Sequence, residues 1–193
     1  MSTSLPSFAL RPGDTGLVLI DVQERLVAAM PPEVVDRAIR NWTSLLDMAG
    51  RLRCPILVTE QYPKGLGRTL PVLREILGKV TPPPPYVEKI DFSACAEPRF
   101  MELVAAVGRR TWLVAGMETH VCVMQTVRGL RERGFDVHVP RDAVVSRHKW
   151  DFAAGLGLME RMGAVVTSTE TALFDLVGRA EGEHFRALSR LIR

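Results

Sequence analysis

Cysteine is scarce in this chain and follows no pairing pattern. Cys54, Cys95 and Cys122 form neither an even set nor a CxxC pair, which argues against a disulfide framework and against a cysteine-ligated zinc. The four histidines, His120, His138, His148 and His184, are scattered, and His120 with Cys122 cannot by themselves complete a zinc shell. No apolar run approaches the ~18 residues that a membrane helix needs. The opening stretch "MSTSLPSFALRPGD" lacks the basic-then-apolar order of a secretory leader. Long runs of one charge are missing too: 25 basic and 22 acidic residues are spread along the sequence for a net charge of +3, too little to point to nucleic acid or a lipid surface. These absences lead to the expectation of a soluble, cytoplasmic protein that binds neither nucleic acid nor membrane.

What is present reads as an ordinary globular chain, with 47% hydrophobic and 24% charged residues. A length of 193 residues suits one domain, taken here as 1–193, that buries a core without disulfides or metal. Short β-branched runs alternate with stretches of helical period. Strands are predicted at 16–21, 55–60, 86–90, 111–116, 136–140 and 164–168, and helices at 33–52, 97–109, 118–134 and 151–163. A helical tail runs from Thr171 with a break near Gly182. Six strands interleaved with helices imply an α/β fold with a mostly parallel sheet covered on both faces, because parallel strands require crossovers. Residues 61–85, with "QYPKGLGRTLP" and "TPPPP", fit neither pattern. They are read as a long irregular connection that forms a lid or a pocket wall.

In open parallel sheets reactive groups collect at the carboxyl ends of strands. Asp21 closes the first strand, Lys89 lies at the end of the third, and Cys122 follows the fourth across a glycine in "AGMETHVCV". A carboxylate behind "LVLI" and an ammonium within "VEKI" each cost desolvation energy unless paired. The economical arrangement puts both charges in one crevice with the thiol between them. There a helix end and the ammonium favour the thiolate, and the carboxylate takes its proton. Each residue alone also has a plainer use: Asp21 as a cap, Lys89 as an edge residue whose stem reaches water, Cys122 as a packed hydrophobe. Phe92, Gln61 and Tyr62 fall just beyond strand ends and are expected to line a substrate pocket; Trp150 fits a pocket, a core or an interface equally. Cys54 and Cys95 are read as structural.

The segments "LVLIDVQ", "VEKIDFSAC" and "VAGMETHVCV" resemble the three signature segments of the isochorismatase-like cysteine hydrolases: D-x-Q after the first strand, K-x-x-x-S-A after the third and G-x-x-T-x-x-C after the fourth. The resemblance covers nearly the whole chain, and "EQYPKGLG" with the C-terminal "LVGRAEGEHFRALSRLI" is most similar to the isochorismatase domain-containing subgroup. It implies a three-layer α/β/α sandwich with a six-stranded sheet, a catalytic triad of Asp21, Lys89 and Cys122, and a cis peptide between Met117 and Glu118. With it come an oxyanion hole formed by the backbone N–H groups of Glu118 and Cys122, a small-molecule substrate cleaved at a C–N bond through a thioester, no cofactor, and a homo-oligomer.

Nicotinamidases of that family carry a metal held by an Asp and paired histidines after the second strand. Here the segment reads "TEQYPKGLG" without a histidine, so no metal is expected. His120, two positions before Cys122, is read as a cap or surface residue rather than the base, and the Glu118 side chain as solvated at a helix start. Two other classes of function remain open at this level: a non-catalytic oligomeric scaffold, and a redox-sensing thiol protein in which Cys95 would resolve an oxidised Cys122.

Overall fold

The structure is a computed structural model that describes residues 8–192; the reading of the N-terminus as leaderless rests in part on residues 1–7, which lie outside the described residues. Seven strands form one sheet: β1 (Thr15–Ile20), β2 (Ile56–Gln61), β3 (Tyr86–Lys89), β4 (Thr111–Met117), β5 (Asp136–Pro140), β6 (Val144–Val145) and β7 (Val165–Thr167). Their order is β3-β2-β1-β4-β5-β7, and every pairing between them is parallel. The sequence-based count was six. The extra strand is β6, which pairs with residues 116–117 of β4 beyond the point where β5 pairs with residues 111–113. Two residues are too few to show a period of their own.

Alternation along β1 divides the core in two, because successive side chains of a strand point to opposite faces. Leu17 and Leu19 pack with Trp42, Leu45 and Leu46 of α2 (Pro32–Arg51), and with α4 (Pro71–Leu77), α8 (Thr169–Val177) and α9 (Gly182–Leu191). Val18 and Ile20 pack with Phe100 and Val104 of α5 (Pro98–Val107), and with α6 (Met124–Glu132) and α7 (Lys149–Arg161). The result is the three-layer arrangement that the alternating pattern implied. Among the described residues no helix is long and apolar enough to cross a membrane.

Residues 61–85 depart from the irregular connection expected of them. They hold α3 (Pro63–Leu66) and α4, each opened by a proline at the first helical position, where the missing N–H has no intrahelical partner to lose. The proline run then leads into β3, which among the described residues pairs only with β2 and forms an edge of the sheet, a position that tolerates proline. The strand order reverses between β1 and β4. Ligands of parallel α/β sheets bind in the crevice that such a reversal leaves at the carboxyl ends, and Asp21 and the segment carrying Cys122 flank it.

Candidate active site

Asp21 follows Ile20 directly with a φ of 49° and is fully buried. Its Oδ1 accepts from the Thr59 hydroxyl at 2.7 Å, and its Oδ2 accepts from Lys89 Nζ at 2.6 Å. Both side chains of this ion pair are sealed from solvent. Withdrawing two charges from water costs several kcal/mol per ion unless their remaining hydrogen-bonding capacity is satisfied. Lys89 meets that condition: its ammonium also donates to Gln61 Oε1 at 2.7 Å, to the Phe92 carbonyl at 3.2 Å and to the Asp91 carbonyl at 3.3 Å. Three protons therefore face four oxygens.

The cage is fixed from behind. Gln61 Nε2 donates to the Ile90 carbonyl at 2.5 Å. The Gln61 backbone is held at both ends by Gln23, whose Oε1 accepts from Gln61 N at 2.7 Å while Nε2 donates to the carbonyls of Gln61 and Gly67 at 3.0 and 2.7 Å. On the other side Ser93 Oγ donates to the Gln125 carbonyl at 3.2 Å, and Ala94 N donates to Thr126 Oγ1 at 2.9 Å. These contacts dock the turn that presents the Asp91 and Phe92 carbonyls onto α6. The glutamine of D-x-Q and the serine and alanine of K-x-x-x-S-A thus brace the lysine from opposite sides. Thr59 and Gln23 were not singled out from the sequence; for Gln23 the D-x-Q pattern was the available signal.

Cys122 arrives by a different route. Gly116 lies beside Ile20 in the neighbouring strand with a φ of 124°, and a Cβ there would stand 2.1 Å from the Ile20 carbonyl oxygen, so only glycine fits. The Met117–Glu118 peptide bond is cis. Beyond it the chain makes a wide turn over Thr119–Val123, in which the Glu118 carbonyl accepts from Val121 N at 3.0 Å and from Val123 N at 3.2 Å. Regular α-helix begins only at Met124, six residues later than periodicity predicted. Such i→i+5 turns occur mostly as local bulges, frequently at functional sites. This one sets Cys122 at the head of α6, where its thiol interacts with both Asp21 and Lys89.

Burial, and after it the Asp21 carboxylate, push the Cys122 thiol up to about 12, with Lys89 pulling in the opposite direction. The direction is opposite to the thiolate expected from a neighbouring ammonium: Lys89 already faces Asp21 at close range, and its pull on the sulfur opposes desolvation without outweighing it. Cys122 is buried, with 6% of the residue exposed. Burial also raises Cys54 and Cys95, each to about 11. Cys95 packs on Gly129 with its thiol 3.6 Å from the Thr126 carbonyl, and all three cysteines are free.

The remaining expectations divide. Gln61 is engaged with Lys89 and Ile90 rather than turned to an open pocket wall. Tyr62 and Phe92 are both more than half exposed. Tyr62 borders a hollow of about 310 Å³ with Glu88, Lys89 and Asp91, which contains neither Phe92 nor Cys122. The Glu118 side chain is buried, not solvated, and its carboxylate accepts from Arg147 N at 3.1 Å and Nε at 3.2 Å. His120 Nδ1 lies 3.0 Å from Ser146 Oγ and Nε2 lies 4.0 Å from Asp151, which ties the wide turn to the start of α7. Gly155 of α7 is required by the same contact, because a Cβ there would lie 2.9 Å from the Thr119 carbonyl oxygen. In the segment where nicotinamidases hold their metal, the Glu60 carboxylate accepts from Thr69 N and Oγ1 at 2.8 and 2.9 Å and from Arg68 at 2.9 Å.

Residues 15–171 match the family described as the Isochorismatase domain. Isochorismatase domain-containing protein 2 of Xenopus laevis is 35% identical over 179 residues, which cover 91% of this chain and 82% of that protein. The MAR1 ribonuclease from Caenorhabditis elegans has a structure similar to this one with a TM-score of 0.87 at 35% identity, covering 95% of this chain and 92% of that one. YcaC from Pseudomonas aeruginosa, 24% identical, shares the fold with a TM-score of 0.86 over 99% and 98% of the two chains. The matched span contains all three strand ends that carry Asp21, Lys89 and Cys122, and on this similarity the chain belongs to the isochorismatase-like hydrolase family.

Proposed function

We propose that this chain is a cysteine hydrolase that cleaves the C–N bond of a small amide or carbamoyl compound through a thioester on Cys122, with Asp21 and Lys89 as the other members of the triad. The observation that supports it most directly is one buried thiol within the electrostatic influence of a sealed carboxylate–ammonium pair beside the switch point of a parallel sheet. The proton of the Cys122 thiol passes to Asp21 as Sγ bonds to the carbonyl carbon and an electron pair moves onto the carbonyl oxygen. The N–H groups of Glu118 and Cys122 are the donors assigned to that oxygen. Protonation of Asp21 also leaves the charge of Lys89 uncompensated at the moment negative charge develops nearby. Collapse breaks the C–N bond, and the amine departs with the proton from Asp21. Water then adds to the thioester carbon while Asp21 takes its proton; the C–S bond breaks, the sulfur is reprotonated and the acid leaves.

A panel of small primary amides and carbamoyl compounds tests the reading. The wild type is expected to release ammonia from at least one member and to carry its acyl group on Cys122 by mass spectrometry. Cys122→Ala is expected to lose about 10³-fold or more in turnover. Ammonia release that survives the substitution, or no release and no adduct across the panel, would sink the proposal; the second result is what a non-catalytic scaffold would give. The nematode relative bears the name ribonuclease, so an RNA oligonucleotide belongs in the panel. It is expected to stay intact, because a sulfur this recessed suits a small carbonyl better than a polymer. We also propose that the protein forms a homo-oligomer, supported by the exposed Tyr86, Ile90 and Phe92 along the β3 edge. Light scattering that gives the monomer mass of 21.4 kDa would refute this.

A further inference from the structure

A second cavity, of about 590 Å³, lies between the first turns of α2 and the chain from Arg141 to Phe152, and neither Asp21, Lys89 nor Cys122 borders it. Its volume falls in the range of small-molecule sites. Arg37, Arg141 and Lys149 stand in its wall, and among the described residues none of the three makes an ion pair. Two carboxylates share the wall. One is Asp142, engaged by Thr169, whose N and Oγ1 donate to Oδ1 at 2.7 and 2.9 Å; the other is Glu33. Trp150 adds an indole that is 76% exposed, with Lys149 Nζ 5.1 Å from its ring centroid. The other two tryptophans, Trp42 and Trp112, are fully buried.

An exposed indole beside unpaired cations offers a planar apolar face and positive charge together, a combination matched by a flat ring that carries an anionic group. The wall is anchored to α2: Asn41 Nδ2 donates to the Asp142 carbonyl at 2.6 Å and Trp42 Nε1 to the Ala143 carbonyl at 2.7 Å. Together these contacts tie the turn before β6 to α2. Pre-ordering of this kind lowers the entropy cost of binding. We propose that this basin binds a small aromatic anion, a carboxylate or its like, at a place separate from the triad. The basin is not isolated from it: Arg147, in its wall, holds Glu118, and Ser146 holds His120, both on the turn that carries Cys122.

Titration with benzoate, followed by tryptophan fluorescence, tests the assignment, with benzyl alcohol as the uncharged ring and inorganic phosphate as the anion without a ring. Benzoate is expected to quench saturably, phosphate to compete, and benzyl alcohol to bind about tenfold more weakly or worse. Trp150→Phe should remove the signal, the double variant Arg37→Ala/Arg141→Ala should weaken binding by about tenfold or more, and Cys122→Ala should leave it unchanged. Equal affinity for benzoate and benzyl alcohol would overturn the proposal, as would loss of binding in Cys122→Ala. Quenching that fails to saturate, with Trp150 shielded from solvent only as protein concentration rises, would assign the basin to a second copy of the chain instead. Benzoate has no C–N bond to cleave, so this outcome is independent of whether the amide panel yields a substrate.

Discussion

Lys89 and Lys149 carry the same group in opposite circumstances. The Lys89 ammonium is sealed from water and faces four oxygens, one of them on a carboxylate as deeply buried as itself. That of Lys149 lies over an exposed indole at the rim of a cavity, without a carboxylate partner among the described residues. The contrast separates two uses of charge. A desolvated, fully satisfied ion is held in one geometry and acts on whatever is placed beside it, here a thiol. A solvated, unpaired one fixes nothing within its own chain and remains available to a ligand.

The sharpest way to break this comparison is to titrate the sulfur. With its pKa raised to about 12 by burial and then by Asp21, the thiolate fraction of Cys122 should rise tenfold per pH unit. Iodoacetamide alkylation should therefore climb by roughly 10⁴ between pH 6 and pH 10 without levelling. A plateau near neutrality would mean that the Lys89 charge outweighs desolvation and that the thiolate is formed before substrate arrives. Next in size is the loss of the buried cation. Lys89→Met leaves the Asp21 carboxylate unpaired and should cost about 3–5 kcal/mol in urea unfolding, whereas Lys149→Ala should change stability by less than about 0.5 kcal/mol. Similar costs for both variants would show that the two lysines do not differ as their surroundings imply.

Much of the architecture was legible in the sequence because its cause is local. β1 reads as a strand from "GLVLID", and the same residues feed both halves of the core, Leu17 and Leu19 on one face and Val18 and Ile20 on the other. The helix over α2 follows from its apolar spacing and ends within a residue of expectation. Failures came where period gives no signal. Two-residue β6 was missed, the two short helices within residues 61–85 were masked by proline and glycine, and the helix expected from Glu118 starts instead as a wide turn. At the site, residue type at strand ends pointed to Asp21, Lys89 and Cys122. Gln61 was assigned to substrate because nothing in a one-dimensional reading shows that its amide reaches Lys89, 28 positions away.

Local pattern along the chain settles the succession of strands and helices and the presence of a carboxylate, an ammonium and a thiol at or just beyond the carboxyl ends of three of those strands, since hydrophobic period and chain reversal act over a few residues at a time. Packing across the sheet sets the rest: the desolvation of the sulfur, the bracing of Lys89 by Gln61 and Gln23, the hold of Arg147 on Glu118, and the basin at Trp150. Each depends on how much water is removed from a group and on which distant group replaces it, and desolvation is a property of the packed volume rather than of the order of residues along the chain.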